Sequence, residues 1–260
     1  MIKNSLKDLY ENFEIIFKNR NIENLFITND MRKFGLIEDR NKNETLEELL
    51  LIIKNFLPKT TIIVPTANLN LPNSGQKYDN ADTASFKMGA FSEFIRKKKH
   101  AIRSFHPLWS MSGLGKNSKK ILSNISSHAY SANSVVHKLF QEENNYFLAL
   151  GQHPRFMLPI IHHLEHINQV PYRFEKTFTI SCRDNEKYEF IEKQFQLDVL
   201  KDQFRENKRA CNSLIFNNFE SKGELIKKMF NNTEIYLFNF FEFYELTNNL
   251  FKKDINCWWK

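Results

Sequence analysis

The sequence of 260 residues predicts a single α/β domain over residues 1–260, with a mixed β-sheet flanked by helices. Three observations lead to this fold class. Strand-like and helix-like segments alternate along the chain without an internal repeat. Hydrophobic residues make up 42% of the chain, which is enough for a sizeable buried core. No stretch has the composition of a linker, so nothing divides the chain into two domains.

Apolar side chains at helical spacing alternate with short apolar runs in the first third of the chain. The predicted elements are a helix over 6–19, a strand over 24–28, a helix over 45–56 and a strand over 61–66. Thr45 is the predicted N-cap of the second helix, because Glu48 stands in the capping-box position. The polar, turn-rich residues 68–82 predict a long loop, and long loops in compact domains are usually functional.

The second half of the chain completes the sheet and adds a C-terminal helix. The predicted strands are 146–151 and 234–238, together with an antiparallel pair over 173–181 and 187–195. Arg183-Asp184-Asn185 is the predicted turn of that pair. Asn239 predicts the start of the final helix, with Glu242 in the capping-box position.

The formal net charge of +7 comes from one window. Residues 91–120 hold eight Lys and Arg and a single acid, Glu93, whereas the rest of the chain holds 29 basic and 29 acidic side chains. A wide basic surface, which nucleic-acid binding requires, is therefore not predicted. The local charge still predicts a partner that carries phosphate, and at this point an anionic membrane surface and a phosphorylated small molecule both remain open.

Cysteine spacing and hydrophobic patterning exclude several other classes. Cys182, Cys211 and Cys257 form no CxxC pair, so neither a zinc ribbon nor a disulfide framework is predicted. The N-terminus lacks the apolar core of a signal peptide, and no apolar run approaches the ~18 residues of a membrane span. We therefore expect a protein of the reducing cytoplasm.

All eight histidines fall between His100 and His166. Their densest motif is Pro159-Ile-Ile-His-His-Leu-Glu-His166, where Pro159 suits the first turn of a helix. On that helix His162 shares a face with Glu165, three residues later, and also with His166, four residues later.

Three interpretations of this motif stay open. His162-x-x-Glu165-His166 has the letters of an inverted zinc-peptidase motif, although no third ligand is evident downstream. Alternatively, His162 is a general base near a helix N-terminus, whose dipole disfavours the imidazolium while Glu165 favours it. In the third interpretation the histidines are purely structural.

A second polar constellation spans residues 101–115, where Gly113 and Gly115 permit close backbone approach. Its candidate phosphate-binding residues, with the preceding lysines, are Arg103, Ser104, His106, Ser110, Lys97 and Lys98. The P-loop pattern is absent. The segment therefore predicts either a phosphate site of another kind or a solvated basic helix end.

Four groups of residues follow one another in a characteristic order. They are Thr61-Ile-Ile-Val-Pro-Thr66; Tyr78-Asp-Asn-Ala-Asp-Thr-Ala-Ser85 with Met88-Gly89, Glu93 and Arg96; Arg103-Ser-Phe-His-Pro-Leu-Trp-Ser110 with Gly113-Leu-Gly115; and Leu148-Ala-Leu-Gly151 with His162-x-x-Glu165 and Val170-Pro-Tyr-Arg173. In this order they resemble the aminoglycoside 3-N-acetyltransferase (antibiotic acetyltransferase) family. The likeness runs over the whole chain and is densest over 60–173.

The chain departs from the family pattern at several places. Thr28-Asn29-Asp30-Met31 stands where the family usually has His-Ser-Ser-Leu. Pro159 replaces a Thr just before the HxxE helix, Ala84 replaces a Pro, and Thr60 replaces a Gly. The His162-x-x-Glu165 pair is intact, so the chemistry that the family performs is the expectation that the resemblance carries best.

The resemblance implies an acyl-CoA-dependent N-acyltransferase of mixed α/β fold that transfers the acyl group directly, without a metal. His162 would take a proton from the acceptor amine, Glu165 would orient the imidazole, and Thr66 is a candidate oxyanion donor. The basic window would bind the phosphates of acetyl-CoA or another acyl-CoA. Acceptor contacts are expected from Asp79, Asp82, Thr83 and Arg173.

The expected acceptor is an amino sugar, and two classes compete. The loop 68–82 contains only Asp79 and Asp82 as acids, which favours an anionic, nucleotide-linked amino sugar for surface polysaccharide over a polycationic aminoglycoside. A non-catalytic protein that binds acyl-CoA or sugar is a further alternative. Whether the chain forms a homo-oligomer is open.

Overall fold

A computed structural model describes residues 3–156, 159–184, 189–204, 213–230 and 233–258. The strands of this described part are β1 (Lys3–Asn4), β2 (Asn24–Asn29), β3 (Leu36–Ile37), β4 (Thr61–Pro65), β5 (Tyr78–Asp79), β6 (Ile102–Arg103), β7 (Met111–Leu114), β8 (Asn145–Leu150), β9 (Arg173–Arg183), β10 (Ile191–Leu200), β11 (Ile226–Phe230) and β12 (Thr233–Asn239). The helices are α1 (Leu6–Phe17), α2 (Met31–Phe34), α3 (Lys42–Phe56), α4 (Leu71–Ser74), α5 (Ala90–Arg96), α6 (Ser118–Leu122), α7 (Val135–Phe140), α8 (Pro159–Ile167), α9 (Ser213–Ser221) and α10 (Phe240–Lys253). Single 3₁₀ turns follow β8 and β10, at Pro154–Phe156 and Asp202–Phe204.

The main sheet has seven strands in the order β11-β12-β8-β2-β4-β7-β6. Its central strand β2 runs parallel to β4 and β8, whereas the outer pairs β4–β7, β7–β6, β8–β12 and β12–β11 are antiparallel. A smaller sheet pairs β10 with β9 and β9 with β5. The predicted mixed sheet flanked by helices is confirmed.

Two apolar cores lie on opposite faces of the main sheet. Phe26, Ile63 and Phe147 point into the core formed with α7, α8, α9 and α10. Leu25 and Ile62, their neighbours along β2 and β4, point into the core formed with α1, α3 and α5. Successive strand residues face opposite sides of a sheet, so strands covered on both faces have apolar residues throughout.

Helix α3 begins three residues earlier than the sequence predicts. The side-chain oxygen of Asn41 accepts hydrogen bonds from the backbone N–H groups of Asn43 and Glu44, and the Glu44 carboxylate accepts one from the Asn41 N–H at 2.8 Å. Asn41 therefore forms the capping box, and the prediction of Thr45 as N-cap is wrong. The Thr45 hydroxyl instead accepts the Ile37 N–H at 3.1 Å, inside the core.

The region 68–82 is more ordered than a loop, because it contains α4 and β5. Tyr78, fully buried, and Asp79 pair in parallel with Cys182 and Arg183 at the end of β9. The prediction of a long loop is therefore wrong over residues 71–74 and 78–79. The local sequence does not predict this strand, because the segment is polar and its partner lies about a hundred residues away in sequence.

The predicted antiparallel pair and the C-terminal helix are present. Strands β9 and β10 pair over their lengths, with Arg173 opposite Leu200. The predicted turn is wrong at Arg183, which is the last residue of β9 and pairs with Asp79, and Asn185 lies outside the described residues. Asn239 caps α10 by accepting the N–H groups of Phe241 and Glu242. Among the described residues, no helix is long and apolar enough to cross a membrane.

Candidate active site

Helix α8 brings His162 and Glu165 together, as their spacing predicts. Nδ1 of His162 lies 2.7 Å from Oε2 of Glu165. The Glu165 side chain is fully buried, whereas 21% of the His162 side chain is exposed. Because a carboxylate can only accept, Nδ1 of His162 carries the proton and Nε2 is left as the basic nitrogen.

Arg173, the first residue of β9, completes this arrangement. Its Nε lies 2.7 Å from Oε2 of Glu165, and its Nη2 lies 3.2 Å from Nδ1 of His162. Burial alone would raise the pKa of Glu165, but the hydrogen bond with His162 and the charges of His162 and Arg173 outweigh it. The pKa of Glu165 is therefore lowered, and the buried carboxyl stays ionised.

His162 opens into a cleft of about 330 Å³. Aromatic rings form part of its wall: the centroid of Tyr130 lies 5.3 Å and that of Trp109 6.1 Å from the His162 ring. The other lining residues are Leu69, Met88, Arg155, Ile161, Arg173, Leu197, Asp198, Val199, Leu200 and Trp258. A predominantly apolar wall with a few polar groups is typical of a small-molecule site.

Asp198, a residue that sequence reasoning missed, also lines this cleft. His166 Nδ1 lies 2.7 Å from Asp198 Oδ2, and His128 Nε2 lies 3.4 Å from Asp198 Oδ1. Burial would raise the pKa of Asp198, but hydrogen bonds from His128 and His166 outweigh it and hold that pKa well below its ordinary range. The helical spacing of His162 and His166 in the sequence predicts that both lie on one face of α8. It does not reveal the carboxylate of this cluster, because Asp198 lies on β10.

The ligand atoms of His128, His166 and Asp198 lie within 4.8 Å of one another, close enough for a metal site. The tautomer of His128 argues against it. Nδ1 of His128 accepts the Tyr130 N–H at 3.1 Å, so in the neutral ring Nε2 carries the proton and points a donor at Asp198. A metal needs the lone pair of that nitrogen.

The zinc-peptidase interpretation of the HxxEH motif fits this geometry poorly. Such a site would use His162 and His166 as ligands and Glu165 as a base. Instead, Nδ1 of each histidine contacts a different carboxylate, and Glu165 is buried in an ion pair with Arg173.

The structure places Arg103, Ser110 and Thr66 in a buried network. Nη2 of Arg103 donates to the Thr66 carbonyl at 2.5 Å, and its Nε donates to the Ser110 hydroxyl at 3.0 Å. Further donor contacts reach the carbonyls of Asn80 and Thr83. With 8% of Arg103 exposed and its donors engaged, this guanidinium supports the β4–β7 region, and its predicted role toward coenzyme A phosphates has no support in the geometry.

Thr66 is fully buried, with its hydroxyl 3.1 Å from Ser112 Oγ and 3.3 Å from Ser110 Oγ. Its N–H donates to the Ser110 carbonyl. Thr66 is not among the residues that line the cleft of His162, so its proposed oxyanion role is not favoured by this structure.

Ser104 and His106 are likewise buried. The Ser104 hydroxyl accepts the Met111 N–H at 2.9 Å. In His106, Nδ1 accepts the Trp109 N–H and Nε2 contacts the Ser127 carbonyl at 3.0 Å. Burial lowers the pKa of His106 to about 4, so the ring is neutral and braces the turn that carries Trp109.

The lysines predicted to bind coenzyme A and the polar residues predicted to bind the acceptor mostly contact other protein side chains or backbone groups. Lys98 contacts Glu47, and Lys97 lies 3.6 Å from Glu93. Asp79 accepts the N–H groups of Ala81 and Asp82 and contacts Arg183. Thr83 accepts the Asp79 N–H at 2.8 Å, and Asp82 is exposed. Of the acceptor residues predicted from the resemblance, only Arg173 lines the cleft of His162.

Together, the α/β fold and a histidine supported by a buried carboxylate on a cleft wall form the arrangement that general-base catalysis on a small molecule requires. A family profile described as aminoglycoside 3-N-acetyltransferase matches residues 28–252. The chain belongs to this family, as its motifs predict, and is an acyl-CoA-dependent N-acetyltransferase. A search of curated proteins found no match.

Solved structures share the fold at low sequence identity. The YokD protein from Bacillus subtilis is 15% identical, with a TM-score of 0.78 over 98% of this chain and 96% of its own. AAC-IIIb in a binary complex with CoASH is 13% identical, with a TM-score of 0.76 over 97% of both chains. AAC-VIa bound to sisomicin is 14% identical, with a TM-score of 0.76 over 97% of this chain and 98% of its own.

Proposed function

We propose that this protein transfers an acetyl group from acetyl-CoA to an amine of an amino sugar, with His162 as general base and Glu165 as its orienting partner. The observation that carries the proposal is the 2.7 Å contact between His162 Nδ1 and buried Glu165, on the wall of the cleft. The whole chain, residues 1–260, acts as one catalytic domain, in the cytoplasm.

The reaction needs a base because an ammonium has no lone pair with which to attack a thioester. His162 Nε2 takes a proton from the acceptor nitrogen, which then forms a bond to the acyl carbon. The C–S bond breaks, and the coenzyme A thiolate leaves and takes the proton that His162 accepted from the nitrogen. Glu165 holds Nδ1–H throughout and stabilises the imidazolium that forms. No cysteine nucleophile is required.

The acceptor class follows from the charges at the cleft. Asp198 lines the cleft, and Glu175 stands directly opposite it across the β9–β10 pair. Both carboxylates also line an adjoining cavity of about 690 Å³. Acidic groups at this position favour a polycationic, aminoglycoside-type acceptor, and a neighbouring structure of the family holds sisomicin.

A nucleotide-linked amino sugar is the second candidate, as expected from the sequence. One observation favours it: Arg155 lines the same cleft and can face a phosphate. The basic window, however, is partly neutralised by its own ion pairs, since Arg96 contacts Glu93 and Lys120 contacts Glu142. We therefore rank the aminoglycoside-type acceptor first.

Release of free thiol from acetyl-CoA, measured over a panel of aminoglycosides and nucleotide-linked amino sugars, tests the proposal. We expect turnover with an aminoglycoside. In His162→Ala, kcat should fall by at least about 10²-fold. His100→Ala, at an exposed histidine outside the cleft, is the matched control and should match the wild type. Turnover only with nucleotide-linked sugars would reverse the ranking, and full activity of His162→Ala would refute the mechanism.

A further inference from the structure

One carboxylate oxygen of Glu165 contacts both the imidazole of His162 and the guanidinium of Arg173. Oε2 of Glu165 lies 2.7 Å from His162 Nδ1 and 2.7 Å from Arg173 Nε. The guanidinium is permanently charged, so it neutralises Glu165 whether His162 is protonated or not. The pair that supports His162 therefore has no net charge, unlike an isolated carboxylate.

Arg173 also lies against the imidazole itself. Its Nη2 is 3.2 Å from His162 Nδ1. When His162 Nδ1 donates its hydrogen to Glu165, Nδ1 and Arg173 Nη2 both carry hydrogens. Their contact is therefore not a hydrogen bond, and it places a cation beside the ring. A cation at this distance disfavours the imidazolium form.

The Arg173 side chain is anchored. Its Nη1 donates to the Asp198 backbone carbonyl at 3.2 Å, and only 9% of the side chain is exposed. Contacts with α8 on one side and β10 on the other hold the guanidinium between two elements. Although Arg173 lines the cleft, its Nε is paired with Glu165 and its Nη1 donates to the Asp198 carbonyl.

We propose that Arg173 is a positioning residue for the base: it holds Glu165 ionised and offsets its charge, so that His162 is unprotonated and ready to accept a proton at neutral pH. This role replaces the acceptor contact that the resemblance implies. The inference rests on the proposed function, because it assigns Arg173 to the machinery of the same histidine.

Other charged or titratable groups face this site from the elements packed around it. They are Glu165 and His166 on α8, Tyr172 just before β9, Glu175 on β9, Asp198 on β10, His128 in the segment before α7, and Arg155 in the turn after β8. The Asp198 carboxylate is engaged by His166 and His128. Arg173 is the cation within ion-pair distance of Glu165 among the described residues, which makes its removal the informative change.

The test is the pH profile of kcat/KM in Arg173→Met, with Arg173→Lys as the conservative variant and Lys176→Met as the control. Lys176 is an exposed lysine three residues along the same strand and belongs to no site described above. Without the guanidinium, Glu165 favours the imidazolium, so the acid limb of the profile should move up by at least about one pH unit. At pH 7 kcat/KM should fall about tenfold and recover near pH 9, since each unit is a factor of ten.

Arg173→Lys should retain part of the wild-type profile, and Lys176→Met should match the wild type. The KM for acetyl-CoA and for the acceptor should change by less than about twofold, because the proposed role of Arg173 is to hold Glu165 and not to bind substrate. If Arg173→Met does not fold by circular dichroism, Arg173→Gln carries the same test.

Two results would overturn the inference. A raised KM for the acceptor with an unmoved acid limb would make Arg173 a substrate contact, and a uniformly low kcat with an unmoved limb would make it purely structural. Both leave the proposed function intact. That function fails separately, if the wild type releases no thiol with any acceptor or if His162→Ala is fully active.

Discussion

His162 Nδ1 and Glu165 Oε2 lie 2.7 Å apart, one turn along the same helix, with the carboxylate fully buried and the imidazole partly exposed. The carboxylate can only accept, so His162 donates through Nδ1–H and Nε2 keeps its lone pair. Under the proposed function this nitrogen is the base. A helical spacing of three residues is therefore enough to build the dyad once the helix is placed at the cleft.

Glu165→Gln should lower kcat by about 10²-fold or more, because an amide does not stabilise the imidazolium. It should also lower the free energy of unfolding by roughly 3–5 kcal/mol, since Arg173 is left in a buried site without its counter-charge. Thiol release and urea denaturation measure the two effects. Glu192→Gln, at an exposed position of β10, is the control, and an unchanged kcat in Glu165→Gln would contradict the dyad.

The ion pair of Glu93 with Arg96 should make stability depend on pH in acid. Oε1 of Glu93 lies 2.7 Å from Arg96 Nη2, and its Oε2 accepts the Ser85 N–H. Burial would raise the pKa of Glu93, but these hydrogen bonds outweigh it and lower the pKa to about 2 from the ordinary value of 4.5.

A carboxyl with a lowered pKa in the folded state stabilises the fold above its ordinary value and loses that contribution as pH falls through the folded value. Glu93→Gln should therefore lower the Tm at pH 6, and the difference from the wild type should shrink below pH 4.5 and vanish near pH 2. Thermal unfolding followed by circular dichroism checks this. A difference that persists at pH 2 would mean that packing, and not charge, stabilises the position.

Lys97 lines a cavity of about 430 Å³ together with Asn80, Ala81, Asp82, Arg96, Ala101 and Arg103. Lys97 is an exposed lysine of the basic window at this concave surface, where we expect a phosphate of coenzyme A to bind. We expect Lys97→Glu to raise the KM for acetyl-CoA several-fold and to leave kcat unchanged, with a smaller effect at high salt.

Lys119→Glu is the control for that experiment, because Lys119 is exposed in the same window but does not line the cavity. Steady-state kinetics at two ionic strengths separate the cases. Equal effects of the two substitutions would mean that the window acts only through its total charge.

Gly89 has a φ of +96°, and a Cβ built there would lie 2.4 Å from Oδ1 and 2.5 Å from the backbone oxygen of Asn29. Asn29 in turn accepts the Phe91 N–H, so it cannot move away without losing the start of α5. Gly75 has a φ of +65° with nothing within 4 Å of such a Cβ.

Gly75→Ala should therefore show only the backbone cost of roughly 1–2 kcal/mol, whereas Gly89→Ala should lose at least about 1 kcal/mol more through the clash. Urea denaturation of both variants measures the difference. Equal losses would mean that the Asn29 contact relaxes at no cost.

The elements predicted best are those whose signal is local. The strands around 24–29, 61–65 and 145–150 are continuous apolar runs, and Asn239 precedes its helix as a cap. The two errors have different causes. The cap of α3 is a local contact, because Asn41 and Glu44 form the capping box three residues apart. Tyr78 joins a small sheet through a partner strand about a hundred residues away, which no local pattern indicates.

The sequence by itself determined the fold class, the family and the His162–Glu165 pair, because apolar periodicity, motif order and helical spacing are all properties of the chain in one dimension. The tertiary structure decided which polar residues meet. Arg173 and Asp198 reach α8 from β9 and β10, and Arg103, which looked like a phosphate ligand, is buried among backbone carbonyls. Contacts between elements depend on how the sheet and helices pack, and no local spacing encodes them.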